Sequence, residues 1–175
     1  MKRYLSGFAA LGGAASMLVL AGCSSAPPPT AKAAGVERLQ CDTASASQDG
    51  LVRSTRVLAV EPLYSHVITS NNNSEERVAG AKLLVRPPNG VTADELTRVL
   101  QCHSARVLLG QVNPATVPND PYWLPDTWVN INVKPENGNF AITIAADSVH
   151  DNLAVFGRAN HYADDHMVAT DPGLP

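Results

Sequence analysis

Two alternating segments separated by a short turn constrain the fold of this chain more than any other feature. In residues 128–134, WVNINVK, valine and isoleucine alternate with asparagine, and residues 140–146, FAITIAA, alternate again. Successive side chains of a β-strand point to opposite faces of the sheet, so this period of two indicates strands. The PENGN segment between them has the composition of a turn. The pattern predicts an antiparallel hairpin with one apolar face, which needs cover on one side only.

A capping-box pattern, Thr92 with Glu95, marks the start of a helix before this hairpin. Apolar residues at helical spacing predict that the helix runs from about Ala93 to Ser104, and a short strand is expected at residues 107–109. Three further segments with β-branched residues are predicted as strands: residues 51–60, 63–69 and 78–86.

A second helix is expected after the hairpin, capped by Asp147 or Ser148 and ending near Tyr162. Three of its apolar residues have helical spacing and are expected to pack on the sheet: Val149, Leu153 and Phe156. Strands, a helix, a hairpin and a second helix, in this order, predict the α+β class. The expected architecture is a two-layer sandwich, in which a mainly antiparallel sheet carries two helices on one face.

The first 22 residues have the layout of an export signal, with a basic start and an apolar run from Leu5 to Leu20. That run is short and rich in glycine and alanine for a membrane span. It ends in Leu20-Ala21-Gly22-Cys23, which resembles the lipobox of bacterial lipoproteins. The resemblance implies cleavage before Cys23, a diacylglyceryl thioether on its sulfur and acylation of its amino group. Ser24 in the next position implies the outer membrane. A plain cleaved signal peptide or an uncleaved anchor is the alternative.

The rest of the chain is expected to hold a single folded domain. Residues 23–40 combine the lipid anchor with a predicted flexible tether, because they lack apolar periodicity and contain a triple proline. The α+β domain is expected over residues 41–162, and a flexible tail over residues 163–175. With a net charge of −3, the chain has no electrostatic footprint for nucleic acid.

Cysteine usage suggests a crosslink within the domain. If Cys23 carries lipid, Cys41 and Cys102 remain, and two thiols in an oxidising envelope pair most simply as a disulfide. The alternative interpretation is that Cys102 is a metal ligand beside His103.

Three histidines are candidate metal ligands. His103 lies in the apolar stripe of the first predicted helix, where it is either a hydrogen-bonded core residue or a ligand for copper or zinc. His161 and His166 belong to the C-terminal segment HYADDHM, which contains suitable ligand types but is more simply interpreted as a solvated tail. No cofactor is expected apart from the covalent lipid on Cys23.

A proline-rich segment over residues 110–125 is predicted to be a long loop. Tyr122, Trp123 and Trp128 cluster at its end, in a chain with only 5% aromatic residues. These rings could stack on a sugar or hold a partner peptide. They could equally well fasten the loop to the domain.

Sequence motifs of enzymes are absent: there is no GxSxG, Walker loop, GxGxxG or HExxH. We therefore expect a membrane-anchored envelope lipoprotein that acts as a non-enzymatic binding or structural module. Its partner would be an envelope protein or a glycan, contacted through residues 111–128. A periplasmic copper- or zinc-binding protein and an unrecognised envelope hydrolase are the alternatives.

Overall fold

The computed structural model describes residues 26–41, 45–68 and 74–166. The signal peptide predicted over residues 1–22, the lipid site Cys23 and residues 167–175 of the predicted tail lie outside these ranges. The elements follow in this order: α1 (Pro29–Gln40), α2 (Ser45–Ser54), β1 (Val57–Ile68), β2 (Ser74–Val85), α3 (Ala93–Leu108), β3 (Val129–Glu136), β4 (Asn139–Ala146) and α4 (Val149–His166). A short 3-10 helix, Pro114–Thr116, lies between α3 and β3.

The four strands form one antiparallel sheet in the order β1-β2-β4-β3. β3 and β4 are the predicted hairpin, and its turn consists of Asn137 and Gly138, both at positive φ. This backbone conformation suits the twist of antiparallel strands, and asparagine and glycine adopt it most readily. The alternating pattern thus predicted both the strands and their connection.

Helices α3 and α4 cover one face of the sheet, which confirms the predicted α+β fold. The fully buried side chains of both helices join those of the strands in a single core. This core includes Leu83, Ile142 and Ile144 from the strands, Leu96 and Leu100 from α3, and Val155, Ala159 and Tyr162 from α4. On the other face of the sheet, Asn130 and Asn132 are exposed, as the alternation in β3 requires.

Helix α1 occupies residues that were predicted to be a tether, so that prediction is wrong from Pro29 onward. Proline is favoured in the first turn of a helix, because its φ is preset and its missing N–H would have no partner there. The residues that follow are mostly good helix formers. Ala33 is fully buried in a cluster with Ala105 and Trp128, so tertiary packing holds this helix on the body.

The predicted boundaries also change around the first strand and around α3. Residues 51–54 belong to α2, and β1 begins at Val57 and continues through Pro62 to Ile68 as one edge strand. Proline is compatible with an edge strand, where its missing N–H need not break the ladder. Helix α3 continues to Leu108, so the strand expected at residues 107–109 does not form.

Helix α4 is rotated relative to the prediction. Val149 and Leu153 are exposed, although Phe156 packs against the core as expected. The rotation is fixed by Asn152, whose Oδ1 accepts from Ala146 N–H at 2.7 Å and whose Nδ2 donates to Ala146 O at 3.1 Å. The Asn152 side chain thus pairs with the backbone of the last residue of β4. As a result, the face of α4 that carries Asn152 is turned toward the sheet.

The C-terminal end of α4 lies beyond the predicted end of the domain. The helix continues to His166, and Ala163 is buried in the core. The tail expected from residue 163 is therefore helical through His166. None of the helices within the described ranges combines the length and the apolar character that crossing a bilayer requires.

The two edge strands of the sheet, β3 and β1, have different surroundings. Along β3, Thr97 Oγ1 accepts from Val133 N–H and Gln101 Nε2 donates to Ile131 O, both at 3.0 Å. Side chains of α3 thus form hydrogen bonds with backbone groups of β3. These groups are therefore not free to pair with another strand.

The β1–β2 hairpin continues past the sheet as a two-stranded arm, defined here as residues 64–68 and 74–77. All of these residues are exposed. The arm begins next to Gly80, which has φ 138° and lies so close to β4 that a Cβ would stand 2.1 Å from Ile144 O. Only glycine fits this position, because both the backbone conformation and the close approach exclude a side chain.

Candidate functional site

The best-defined candidate site is the aromatic loop, residues 110–128, which connects α3 to β3. It is a series of tight turns. Asn113 Oδ1 caps the 3-10 helix by accepting from Ala115 N–H at 3.0 Å. Asn119 and Asp126 have positive φ, which both residue types tolerate. The proline-rich composition thus predicted a loop correctly, and local turn chemistry gives it a defined path.

Three apolar side chains of the aromatic loop enter the main core: Val117, Tyr122 and Leu124. Tyr122 is fully buried, and its ring meets Tyr162 of α4 edge to face, with 5.8 Å between the ring centroids. Of its two predicted roles, the structure therefore places Tyr122 in the fastening one. Its ring offers no surface to a partner in this conformation.

Asp120 is the centre of the polar contacts that hold the aromatic loop. It is only 2% exposed. Its Oδ1 accepts from Tyr122 N–H at 2.8 Å, and its Oδ2 lies 2.5 Å from His103 Nε2 on α3. A buried carboxylate needs such partners, because burial without them is strongly unfavourable. His103 is therefore a core histidine hydrogen-bonded to the loop.

Arg158 of α4 fastens the same loop from the other side. One of its terminal nitrogens donates to Asp120 O at 3.1 Å and to Trp123 O at 2.7 Å. Its guanidinium carbon lies 4.8 Å from the centroid of the Trp123 ring, in the range of a cation–π contact. Trp123 is partly exposed, so its position is held by the protein while some of its surface remains open to solvent.

Trp128 lies at the end of the aromatic loop and connects it to α1. It is 8% exposed, packs with Ala33 and Ala105, and donates from Nε1 to Asn130 Oδ1 at 3.2 Å. Of the three aromatic residues predicted to bind a partner, Trp123 is partly exposed, while Tyr122 and Trp128 are buried.

The predicted disulfide between Cys41 and Cys102 is present. It joins the C-terminal end of α1 to the middle of α3, with 5.6 Å between the two Cα atoms. Glu37 and Arg106 form an ion pair between the same two helices, with 3.2 Å from Oε2 to Nε. The sulfur of Cys102 is used in this bond, so it is not available as the metal ligand of the alternative interpretation.

The candidate metal ligands have separate hydrogen-bonding roles or lie at the surface. His161 is exposed on α4, and His166 donates from Nδ1 to Tyr162 O at 2.8 Å while its ring stacks on Tyr162. Across residues 26–41, 45–68 and 74–166, no group of three or more histidine, cysteine, aspartate or glutamate side chains is arranged to hold a metal ion.

The two buried tyrosines beneath the loop have perturbed acidities. Burial raises the pKa of Tyr122, and the nearby Tyr162 and Asp120 add to this effect. Burial likewise raises the pKa of Tyr162, whose hydroxyl donates to Val52 O at 2.8 Å. Both hydroxyls therefore stay protonated well into the alkaline range, and their role is in packing.

Two open clefts flank α1. One, of about 540 Å³, lies beside the disulfide and is lined by Arg38, Asp94, Arg98 and Gln101, among others. The other, of about 330 Å³, is lined by Lys32, Val36, Leu39 and Trp128, among others. Neither cleft brings together the buried polar groups that orient a small ligand.

No protein-family model, curated protein or solved structure matches this chain. The assignment of a function therefore depends on the residues and their geometry alone. Two residues central to the loop, Asp120 and Arg158, were not among the predicted site residues. The turn-forming sequence Asn119-Asp120-Pro121 was the available signal for Asp120, whereas nothing local to Arg158 indicates its contacts.

Proposed function

We propose that the chain is an envelope lipoprotein, anchored in the outer membrane through lipid on Cys23, whose body is a non-enzymatic binding or structural module. The observation that carries this proposal is the disulfide between Cys41 and Cys102. Disulfides form and persist in oxidising compartments such as the bacterial periplasm. An exported chain with a lipobox-like sequence and an internal disulfide is consistent with that compartment.

In such a protein, the disulfide would connect the segment next to the lipid anchor firmly to the folded body. Only the short segment from Cys23 to Pro28 separates the proposed lipid from α1. Helix α1 is held on the body by Cys41, by the buried Ala33 and by the ion pair of Glu37. A pull on the anchor would therefore reach α3 directly, without passing through a long free tether.

The proposed contact surface is the exposed part of Trp123 with Arg158 behind it. Aromatic rings stack on sugar rings and on extended peptides, and both occur in the envelope. Because Asp120 and Arg158 already hold the loop, little ordering entropy would be lost when a partner binds. The partner would be a cell-wall glycan or an envelope protein.

The anchor is tested by expressing the full chain and its Cys23→Ser variant in a bacterium fed labelled palmitate. We expect label and outer-membrane fractionation for the parent, and neither for the variant, because Cys23 supplies the acylated sulfur. An intact-mass measurement that finds the mature parent without lipid at Cys23 would remove this proposal.

The contact surface is tested with a photoactivatable amino acid at position 123, and with the same amino acid at position 128 as the buried control. Purified cell-wall sacculi serve as the defined glycan probe. After irradiation, we expect covalent crosslinks to sacculi or to an envelope protein from position 123 only. Equal behaviour of the two positions would contradict the assignment of the surface to Trp123.

A further inference from the structure

The start of α1 and the arm lie at the same end of the molecule. Lys32, in the first turns of α1, reaches Asp147 with 3.5 Å from Nζ to Oδ2. Asp147 directly follows β4, and near that end of β4 Ile144 pairs with Ala81 of β2. From Ala81, β2 leads back through Gly80 into the arm. The chain segment that comes from Cys23 therefore enters the body at the arm end of the sheet.

A second contact places α1 in the same way. Ala33 packs with Trp128, which directly precedes β3, and Val129 of β3 pairs with Ala146, the last residue of β4. The start of β3, the end of β4 and the first turns of α1 thus lie together. Two independent contacts of α1 agree that its N-terminal end is at the arm end.

Among the described residues, the exposed large apolar side chains lie mostly at this end; the exception is Leu39, near the C-terminal end of α1. In the arm, Tyr64 is 56% exposed and Ile68 is 75% exposed. Tyr64 and Ile68 share one face of β1, because they are four positions apart in a stretch of unbroken strand register. Val149 and Leu153, also exposed, belong to the first turns of α4, just after β4.

The segment from Cys23 to Pro29 and the protruding part of β2 have similar lengths. Six residue steps separate Cys23 from Pro29, and even a fully extended chain of that length spans only about 20 Å. Seven steps of strand separate Ala81 from Ser74, so β2 reaches about 23 Å beyond its last pairing with β4. The segment that ties the body to Cys23 is thus about as long as the arm.

We propose that the arm end of the molecule lies against the bilayer that holds Cys23, with Tyr64 and Ile68 in the interfacial region of the lipid. This inference rests on the proposed lipid anchor and adds an orientation to it. Tyrosine and aliphatic side chains are the types that partition into that region. The lipid thus acts as one of two contacts that together fix how the body stands on the membrane.

The charges of the arm indicate the kind of lipid surface. Glu75 is paired with Arg77 at 2.8 Å, and Glu76 Oε1 lies 4.0 Å from His66 Nε2. The arm has no cluster of basic side chains, so anionic headgroups would add little attraction. Contact driven by apolar side chains should therefore occur on zwitterionic vesicles.

The test uses the full, lipidated chain reconstituted into phosphatidylcholine vesicles whose acyl chains carry bromine, which quenches tryptophan fluorescence at short range. The variant is Ile68→Trp, and the matched control is Asn89→Trp, an exposed site before α3 at the other end of the sheet. The emission of the parent, from Trp123 and Trp128, is subtracted. We expect the added emission of Ile68→Trp to fall about twofold in brominated lipid, and that of Asn89→Trp to stay unchanged.

Each outcome distinguishes this inference from the proposed anchor. Intact mass and vesicle flotation of the same sample report the lipid on Cys23, so an unlipidated chain overturns the anchor and the orientation together. A lipidated, floating chain whose Ile68→Trp and Asn89→Trp variants are quenched equally overturns the orientation alone. A detergent-solubilised dimer that Ile68→Ser converts to a monomer would also overturn it, since the arm would then bind a second copy.

Discussion

The two hairpins of the sheet have the same topology and different surroundings. The β3–β4 hairpin has eight residues in each strand, carries a helix on one face and has its free edge occupied by Thr97 and Gln101. The β1–β2 hairpin has twelve residues in each strand, of which only Ala81–Val85 pair with β4. Beyond that pairing it becomes the exposed arm.

This difference shows what holds a strand in place in this protein. An isolated two-stranded hairpin is marginally stable in water, and cover from helices or further strands supplies the rest. The β3–β4 hairpin has that cover on its apolar face, where Val129, Ile131, Val133, Ile142 and Ile144 are buried. The arm has cross-strand pairing alone, so its apolar residues are available for contact with something outside the body.

The largest test of this contrast compares two isoleucines, one in each hairpin. Ile142 is fully buried in β4, and Ile142→Ala is expected to lower the free energy of unfolding by about 4 kcal/mol through lost burial and an unfilled cavity. Ile68→Ala in the arm is expected to change it by less than about 0.5 kcal/mol. Guanidinium unfolding of the two variants measures both. Similar losses would show that the arm is packed in solution.

A smaller loss of unfolding free energy is expected from a substitution at Gly80, near the point where the arm leaves the sheet. Gly80→Ala places a Cβ 2.1 Å from Ile144 O at a backbone angle of 138°, and should lower the free energy of unfolding by about 3 kcal/mol. Gly138→Ala, in the β3–β4 turn, has a positive φ but open space around the new Cβ. Its expected loss is about 1 kcal/mol. Chemical denaturation that ranks the two in the reverse order would contradict the close approach at Gly80.

The smallest effect is on the pH dependence of stability. It concerns the core, where burial raises the pKa values of Tyr122 and Tyr162. Below pH about 10 both are protonated in the folded and the unfolded chain, so they contribute no pH dependence. Above it the unfolded chain loses these protons first, and stability falls by up to about 1.4 kcal/mol per pH unit for each tyrosine.

The variant Tyr162→Phe removes one of these titrating groups together with its hydrogen bond to Val52 O. Its stability should be lower at neutral pH and should fall less steeply above pH 10. Urea unfolding at several pH values measures the slope. An unchanged alkaline slope would mean that Tyr162 is not shielded in the folded chain.

The parts of the fold that the sequence predicted share one property: their signals are local. The β3–β4 hairpin follows from alternation and an Asn-Gly turn, and the start of α3 follows from Thr92, which accepts from Glu95 N–H at 3.2 Å. Helix α1 lacks a strong apolar stripe, and it is helical because Ala33 finds a buried site on α3. No local sequence pattern indicates this buried position of Ala33.

The candidate site divides in the same way. Composition located the aromatic loop and its cluster of rings, but it could not separate the buried Tyr122 from the partly exposed Trp123 next to it. That separation depends on Asp120, held by His103, and on Arg158, which is 38 positions away from Asp120 along the chain. Such contacts form only when α3 and α4 are already in place.

By itself the sequence determined the sequence-local elements of this protein: the alternating strands, the capped start of α3, the turns and the pair of cysteines available for a crosslink. Tertiary structure alone decided which face of α4 meets the sheet, that α1 packs on the body, and which aromatic rings are buried. The physical reason is that periodicity and capping act within one or two turns, whereas burial and buried hydrogen bonds depend on partners distant in sequence. The rotation of α4 shows this directly, because one side chain, Asn152, bonded to Ala146, outweighs the apolar pattern of Val149 and Leu153.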